Sequence, residues 1–315
     1  MGSIPFSKVE GLGNDFVVVD LRPGRPGADI RPSPADPAVA RLLCDRHFGI
    51  GADGVLVILP GEAGDARMRG INADGSEAEM CGNGIRCVVK VLYESDPALR
   101  QPVLRIDTGA GLLTCAVDSV DGRVRTVSVE MGRPRLQLAE IPMLGPAAER
   151  AVRVPLSVGG RELAFTAVSM GNPHAVFFVD DPAVPLLGLA EALGPLIETS
   201  PLFPRRTNVE FARVRRGAGG VELDLVVWER GCGITLACGT GACATAVAAC
   251  LEGRASAQTE IPVHLPGGPL HITVEQGQSD AQPPAFSGVV MRGPAAIVFQ
   301  AEIDTARIAA RLSTA

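Results

Sequence analysis

Two cysteines stand in closely similar settings about half a chain apart. The first motif runs from Cys81 to Gly84 and reads Cys-Gly-Asn-Gly, and the second runs from Cys238 to Gly241 and reads Cys-Gly-Thr-Gly. The two cysteines are 157 residues apart in a chain of 315. Two thiols can take a proton from one side of a carbon atom and return one to its other side, which a single thiol cannot do. The sequence therefore indicates acid–base chemistry carried out by a pair of thiols.

Other landmarks repeat at nearly the same offset. Asn72 and Glu229 each stand nine positions before their cysteine. A Gly-Asn pair followed by an apolar run and an aspartate occurs twice, and its asparagines, Asn14 and Asn172, are 158 residues apart. Landmarks that recur at one offset predict a duplicated unit, with one thiol in each copy. The length agrees, because 315 residues favour two domains of roughly 150 residues each.

The elements around the cysteines suit this chemistry. Helical spacing over 84–95, and an almost wholly apolar segment over 239–251, predict a helix directly after each cysteine. Backbone N–H groups and the helix dipole at such a start lower a thiol pKa and attract a carboxylate. The remaining cysteines are interpreted as structural residues: Cys44, Cys87, Cys115, Cys232, Cys243 and Cys250.

Strands account for most of the remaining pattern. Asp36 is the predicted N-cap of a short helix that starts at Pro37, and a last helix is predicted over 304–312. The segments 22–37 and 276–286 are interpreted as surface loops. Apolar runs and alternation predict strands at 4–20, 55–59, 68–72, 103–107, 112–118, 124–131, 151–158, 162–169, 174–180, 207–214, 221–228, 261–265, 270–275 and 287–292.

Composition excludes several classes of protein. The net charge is −6 and the basic residues are scattered, so neither a nucleic acid nor a membrane is expected as a partner. The N-terminus lacks the apolar core of a signal peptide, and a cytoplasmic protein with reduced thiols is expected. There is no Cys-x-x-Cys, P-loop or dinucleotide fingerprint in the sequence. We therefore expect no metal and no cofactor.

Taken together, the motifs resemble the diaminopimelate epimerase family, enzymes that invert one α-carbon of diaminopimelate without pyridoxal phosphate. The resemblance spans nearly the whole chain, and its blocks occur in the family's order. They are Gly11–Phe16, Asp45–Gly54, Asn72–Glu77 continuing to Met80–Cys87, Gly171–His174, Arg206–Phe211, Trp228–Gly233 and Ala237–Ala242.

The resemblance implies an α/β (α+β) fold of two pseudo-symmetric halves. Each half would be a barrel-like, mostly antiparallel sheet around a central helix, with the active site in the cleft between them. The expected boundaries are 1–132 plus 299–315 for the half with Cys81, and 133–298 for the half with Cys238. The substrate would be the small molecule diaminopimelate, and a homodimer is a hypothesis that the sequence does not decide.

Roles for individual residues also follow from the resemblance. Cys81 would pair with His174 and Cys238 with Glu229, one cysteine acting as thiolate while the other is a thiol. The pKa of an amino-acid α-hydrogen lies roughly a dozen units above that of a thiol, so the site must offset about 16 kcal/mol to remove that proton. Because one thiolate and one thiol are needed at once, activity should have a bell-shaped dependence on pH. The residues implied to hold the substrate are Asn14, Asn72, Gly82, Asn83, Asn172, Asn208, Arg230, Gly239 and Thr240.

Several alternatives stay open. A relative with the same fold could act on proline, hydroxyproline or histidine, although Glu229, Arg230 and the asparagines favour a substrate with a second charged end. A binding protein, a related lyase and a dithiol redox protein are further readings. Asn14 and Asn172, each beside a glycine, could simply form turns. Some family members carry glutamine near Gly54, so that substrate contact is expected to be missing here or replaced by water.

Overall fold

The computed structural model describes residues 2–29, 31–78, 81–217, 219–277 and 285–313. Met80, in one of the family blocks, and residues 278–284 of the predicted loop 276–286 lie outside the described residues. The chain forms two compact units. The first unit comprises Met1–Val129 and Gly293–Ala315, and the second unit comprises Glu130–Arg292.

The first unit is built mainly on a sheet and two helices. Its helices are α1 (Pro37–Cys44) and α2 (Gly82–Ser95), with a short 3-10 helix at Pro97–Leu99. Its strands are β1 (Ser3–Gly11), β2 (Asn14–Asp20), β3 (Gly54–Leu59), β4 (Ala66–Asn72), β5 (Glu77–Ala78), β6 (Val103–Thr108), β7 (Gly111–Val120) and β8 (Arg123–Glu130).

The second unit has a similar set of elements. Its helices are α3 (Leu186–Glu198) and α4 (Gly239–Leu251), with a 3-10 helix at Leu138–Glu140. Its strands are β9 (Val154–Val158), β10 (Arg161–Ser169), β11 (Pro173–Phe178), β12 (Asn208–Gly217), β13 (Gly220–Glu229), β14 (Gly233–Thr235), β15 (Glu260–Leu265), β16 (Gly268–Gln276) and β17 (Phe286–Gly293).

The chain then returns to the first unit. Strand β18 (Ala296–Asp304) pairs antiparallel with β1 from Ser3, opposite Asp304, to Glu10, opposite Ala296. Helix α5 (Thr305–Leu312) follows and contacts α1. The described part of the first unit therefore contains segments from both ends of the sequence.

Strand order shows the duplication directly. In the first unit the paired order is β18-β1-β2-β3-β4-β6-β7-β8, and in the second it is β9-β10-β11-β12-β13-β15-β16-β17. In each series the third and fifth pairs of neighbouring strands are parallel, and the other listed pairs are antiparallel. A helix connects the two strands of each parallel pair. The fold is therefore mixed α/β, with two repeats of a mostly antiparallel sheet, as the sequence predicted.

A central helix lies against the strands in each unit. Helix α2 contacts β1, β2, β3, β4, β7 and β18, and helix α4 contacts β10, β11, β12, β13, β15 and β16. All residues of α4 except Thr240 and Leu251 are buried, which explains its lack of a polar face. The two cysteine motifs therefore begin helices that the surrounding strands hold in place.

One local prediction needs correction, and some elements were not predicted. Asp36 does precede α1, but its side chain makes no cap hydrogen bond to the helix and accepts instead from the backbone N–H of Ser33. Helix α3 and strand β18 occupy segments for which neither a helix nor a strand was predicted.

Within the described residues, no helix combines the length and the apolar character needed to cross a membrane.

Candidate active site

Each of the two cysteines is the N-cap of its central helix. Cys81 precedes α2 with φ −135° and ψ 110°, and Cys238 precedes α4 with φ −127° and ψ 108°. The backbone N–H of Gly84 donates to Cys81 Sγ at 3.3 Å, and that of Gly241 donates to Cys238 Sγ at 3.4 Å. Because the first N–H groups of a helix have no acceptor within it, each sulfur accepts one of these free donors.

Close packing at both helix starts favours glycine. A Cβ at Gly84 would lie 3.1 Å from Leu56 Cδ1, and a Cβ at Gly241 would lie 3.0 Å from Glu210 Oε1. Each would also lie 3.3 Å from the Cβ of its own cysteine. Contacts this short leave little room for any other residue, so the glycine lets the first helical turn pack closely beside the thiol.

In the first unit, Asn14 connects the thiol to a group of charged residues. Its Oδ1 lies 3.9 Å from Cys81 Sγ and accepts from Asn83 Nδ2 at 3.2 Å, while its Nδ2 donates to Asp53 Oδ2 at 2.7 Å. Asp53 also accepts from Arg46 at 2.8 Å. The asparagine therefore has a defined orientation and is more than a turn residue.

Asn83 is fixed from its other side by Arg86, whose side chain is fully buried. Arg86 Nη2 donates to Asn83 Oδ1 at 3.0 Å, and its Nη1 donates to the carbonyl of Gly82 at 2.9 Å. Its Nε donates to the carbonyl of Pro294 at 3.1 Å. Arg86 thus ties the first turn of α2 to the returning C-terminal segment of the same unit.

In the second unit, Thr240 takes the place that Asn83 holds in the first. Its Oγ1 lies 3.5 Å from Cys238 Sγ and accepts from Asn172 Nδ2 at 3.3 Å. Asn172 Oδ1 lies 2.9 Å from His174 Nε2, and His174 Nδ1 lies 2.7 Å from Glu210 Oε1. Five residues on or directly before β11, β12 and α4 are therefore linked by successive contacts that end at the sulfur.

The expectation that the helix start lowers the thiol pKa is wrong for Cys238, because burial outweighs the helix start. Cys238 is 4% exposed, and burial raises the thiol pKa well above 9.0. The negative charges of Glu229 and Glu210 raise this pKa further, while the hydrogen bonds from Thr240 and Gly241 lower it. Cys238 is consequently a thiol at neutral pH. Cys81 is partly exposed.

A second group of predicted residues surrounds the turn after β13. Asn208 Nδ2 donates to the carbonyl of Pro173 at 3.0 Å, and Asn208 Oδ1 accepts the backbone N–H of Arg230 at 2.9 Å. Glu229 Oε2 accepts from Thr235 Oγ1 at 3.0 Å. These contacts hold Glu229 and Arg230 at one end of the strand.

Arg230 lines a cavity of 390 Å³ in the second unit. Two further arginines, Arg135 and Arg205, and one acid, Glu140, share its wall. A surface with three guanidinium groups and one carboxylate favours an anion, because guanidinium groups bind carboxylates through paired hydrogen bonds.

Two further positions from the sequence analysis have defined local contacts. Asn72 is exposed, and its Nδ2 donates to Ser76 Oγ at 2.9 Å. At Gly54, a Cβ would lie 2.8 Å from the carbonyl oxygen of Ile71, opposite Phe16 on β2. No longer side chain fits there without a backbone shift, which gives a physical reason for glycine at this position.

The sequence interpretation missed three carboxylates that orient site residues. Asp53 binds Asn14, and Glu210 binds His174. Glu198 accepts from Trp228 Nε1 at 2.8 Å and from the N–H of Gly231 at 3.0 Å, on either side of Glu229 and Arg230. Glu210 had a usable signal, because in a strand it lies on the same face as Asn208. Glu198 lies in a helix that was not predicted.

Comparison with known proteins identifies the family. A family model described as diaminopimelate epimerase matches residues 6–137 and 166–298. The diaminopimelate epimerase of Pelotomaculum thermopropionicum is 48% identical over 299 residues, 94% of this chain and 98% of that protein. That of Synechocystis is 49% identical over 305 residues, 96% of this chain and 100% of that protein.

A solved structure shares the fold at low sequence identity. The crystal structure of a hydroxyproline epimerase from Agrobacterium vitis, with bound trans-4-hydroxy-L-proline, has a TM-score of 0.68 and 16% identity, covering 96% of this chain and 91% of that one. The fold and the full-length relatives define an isomerase of the racemase and epimerase class. Within that class, the chain belongs to the diaminopimelate epimerase family.

Proposed function

We propose that this protein interconverts LL- and meso-diaminopimelate in the synthesis of lysine and peptidoglycan precursors. The observation that carries the proposal is the presence of two cysteines, each the N-cap of a central helix, in a chain nearly half identical to full-length diaminopimelate epimerases. The second charged end of this substrate also suits the arginine-lined cavity beside Arg230. Proline and hydroxyproline offer no such second end.

The proposed chemistry uses one cysteine as base and the other as acid. In one direction, the Cys81 thiolate removes the α-proton, the electron pair of the C–H bond stays on the substrate, and the Cys238 thiol delivers a proton to the opposite face. Cys238 is assigned the acid role because burial keeps it protonated. The reverse reaction exchanges the roles, so the cycle is balanced in protons and electrons and needs no cofactor.

The helix starts would supply the stabilisation that this carbanion requires. The N–H groups at Gly82 and Asn83, and at Gly239 and Thr240, are the donors proposed for the reacting carboxylate. Asn14 and Asn172, each held by its own partner, are proposed to fix the substrate beside the two thiols. His174 and Glu229 remain proposed acid–base partners of Cys81 and Cys238.

At the far end of the substrate, Arg230, Asn208 and Asn72 are the proposed contacts. Arg230 supplies a planar pair of donors for the second carboxylate. Asn208 holds the backbone of Arg230, and in this proposal it acts on the substrate together with that arginine.

The test is proton NMR of reduced enzyme with LL-diaminopimelate in D2O, without added cofactor, followed by chiral separation. We expect deuterium at one α-carbon and appearance of the meso isomer, with a bell-shaped dependence of rate on pH. Absence of both exchange and meso isomer, with thiols titrated as reduced, would refute the proposal. Proline, hydroxyproline and histidine serve as comparison substrates, and we expect no exchange with them.

We also propose that the enzyme works in the cytoplasm as a homodimer. Support for the location is chemical, since the mechanism needs both thiols reduced and a reducing compartment keeps them so. Cell fractionation tests the location, and light scattering during size-exclusion chromatography tests the dimer. A monomer at the enzyme's working concentration would refute the second part.

A further inference from the structure

A buried arginine lies close to the first cysteine motif and has no role in the chemistry described so far. Arg86 is the fifth residue of α2, and it is fully buried. A guanidinium group keeps its positive charge under all conditions in which proteins stay folded. Removing such a charge from water is costly, so its presence here calls for a functional explanation.

Three hydrogen bonds hold this charge at the first turn of α2. Arg86 Nη1 donates to the carbonyl of Gly82 at 2.9 Å, and Nη2 donates to Asn83 Oδ1 at 3.0 Å. Its Nε donates to the carbonyl of Pro294 at 3.1 Å. A Cβ at Gly11 would lie 3.2 Å from Nη2, so the glycine leaves room for the guanidinium group. The positive charge therefore has a fixed place beside the two residues that follow the N-cap cysteine.

The equivalent position in the second unit is a cysteine. Cys243 is the fifth residue of α4 and stands 157 residues after Arg86, the offset that also separates the two N-cap cysteines. Around Cys238, burial raises the thiol pKa, and the negative charges of Glu229 and Glu210 raise it further. The two helix starts are alike in backbone but differ in the charges placed around the sulfur.

A thiol close to Arg86 responds to its charge. Burial raises the pKa of Cys87, the next residue on α2, to about 12, and the positive charge of Arg86 opposes that rise. An opposite charge nearby favours the ionised form of an acid, and a buried charge is screened less than an exposed one. The same effect is expected at the N-cap thiol, at the start of the turn to which Arg86 is bonded.

We propose that Arg86 is a positioning residue for Cys81, whose fixed positive charge stabilises the thiolate of that cysteine and so makes it the base of the pair. This inference deepens the proposed function and rests on it, since that function assigns Cys81 the role of base in one direction. Burial explains why Cys238 keeps its proton, and Arg86 supplies the complementary reason why Cys81 gives its proton up.

Other groups around α2 act against this charge. Glu10 on β1 raises the pKa of Cys87, and Asp53, directly before β3, reaches the site through Asn14. Asn14 Oδ1 favours the protonated N-cap thiol, because a thiol can donate to it and a thiolate cannot. Arg86 is the cation bonded to the first turn itself. The other charged residues of α2 and of the strands that contact it are exposed or have hydrogen-bond or ion-pair partners of their own: Lys8, Asp15, Asp20, Arg67, Arg69, Lys90, Glu94, Asp118, Glu302 and Asp304.

Alkylation by iodoacetamide against pH measures the thiolate of Cys81 directly, because the thiolate is the form that reacts. Fragmentation of the peptide in the mass spectrometer separates Cys81 from Cys87. In the wild-type protein we expect a midpoint below about 8.5, the ordinary value for a thiol. In Arg86→Met, which has a side chain of similar shape without charge, the midpoint should rise by about one pH unit. At a fixed pH below the midpoint the reaction should then be about tenfold slower.

Two further variants separate charge from structure. Arg86→Lys keeps the positive charge but has one nitrogen in place of three, and its midpoint should stay within about 0.3 units of the wild type. Arg22→Met is the matched control, because Arg22 Nη2 donates at 3.0 Å to Asp96, the C-cap at the other end of α2. Its loss should leave the midpoint of Cys81 unchanged. The difference between the wild type and Arg86→Met should persist in about 1 M NaCl, since the charge is buried.

The charge should also appear in the pH profile of catalysis. In the direction in which Cys81 is the base, activity rises with pH as its thiolate forms. The acid limb of kcat/KM in Arg86→Met should therefore move up by about one pH unit. The alkaline limb, which reports the protonated state of Cys238, should stay in place. Arg86→Lys should keep the wild-type profile.

Three results would overturn the proposal. One is an unshifted Cys81 midpoint in Arg86→Met with a wild-type circular dichroism spectrum. Another is an equal upward shift in Arg86→Met and Arg86→Lys, which would indicate a structural role. The third is a wild-type midpoint at or above about 8.5, which decides the matter even if Arg86→Met fails to fold. Alkylation needs no substrate, so failure to epimerise diaminopimelate would refute the proposed function and leave these profiles to decide the role of Arg86.

Discussion

The two units present the same helix start in different surroundings. In the first, Asn14 binds directly to Asp53, whose side chain is 42% exposed and paired with Arg46. In the second, Asn172 contacts His174, which binds Glu210, and Glu210 is wholly buried. Water competes for an exposed carboxylate and cannot reach a buried one. The duplicated architecture thus provides two thiols at helix N-termini, and the residues around each one make them chemically unequal.

The largest expected effect comes from removing either thiol. Cys81→Ala and Cys238→Ala should each lower kcat for epimerisation by about a thousandfold or more, because neither proton transfer can be replaced by the remaining cysteine. The measurement is chiral chromatography of product formed from LL-diaminopimelate. Cys250→Ala, near the other end of α4, is the control and should retain wild-type turnover. Full turnover by either catalytic variant would rule out the two-base mechanism.

A direct comparison of the two thiols should give the next largest difference. In the wild-type protein, iodoacetamide should alkylate Cys81 on the order of a hundredfold faster than Cys238, since Cys81 is partly exposed and Cys238 is buried with a raised pKa. Mass spectrometry of the two peptides after timed quenching measures both rates at once. Equal rates at pH 8 would show that the two settings do not differ in the way described here.

A third prediction concerns the carboxylate on α3 in the second unit. Glu198 accepts from Trp228 and Gly231, on either side of Glu229 and Arg230, and from exposed Arg206, whereas glutamine would direct its own NH2 at one of these donors. Glu198→Gln should therefore raise KM for diaminopimelate about tenfold, the cost of one unmet buried hydrogen bond. Steady-state kinetics measures the change. Glu191→Gln, on the exposed side of the same helix, should leave KM unaltered, and an equal effect there would contradict the argument.

The smallest effect is expected in the first unit. Asp53→Asn should lower kcat/KM only about threefold. The new amide still offers an oxygen to accept from Asn14 Nδ2, and the ion pair that is lost with Arg46 is exposed. Comparison with Glu210→Gln tests whether burial governs the importance of each supporting carboxylate. Asp118→Asn, exposed on β7, is the control. If Asp53→Asn costs as much as Glu210→Gln, the proposed inequality of the two units is wrong.

Much of the fold could be predicted because its signals are local. The bounds of α4 were predicted from apolar residues on every face, which only a buried helix carries. Helix α3 was missed because Gly188, Gly194 and Pro195 argue against a helix. Its glycine at 194 is explained by packing, since a Cβ there would lie 2.5 Å from Trp228. Strand β18 was missed because its central residues are exposed and its partner β1 is nearly 300 residues away.

The candidate site divides in the same way. Cys81 and Cys238 could be proposed because their motifs repeat, and a helix begins directly after each one, as predicted. Asp53 and Glu198 could not be identified as site residues, since each acts on other groups brought near it by folding, and for Glu210 the one signal was that it shares a strand face with Asn208. Carboxylates that orient a neighbouring side chain form no recognisable motif in the sequence. Their roles appear only once hydrogen-bond partners are known.

The pairing of β18 with β1 bears on the order in which the protein is made. A ribosome synthesises the second unit, Glu130–Arg292, as one uninterrupted stretch. Most of the first unit is synthesised earlier, but β1 cannot complete its pairing with β18 until residue 304 has been added. Throughout that interval one edge of β1 has unpaired backbone groups, a state that invites pairing with other nascent chains. The half of the molecule that leaves the ribosome first is the half that is completed last.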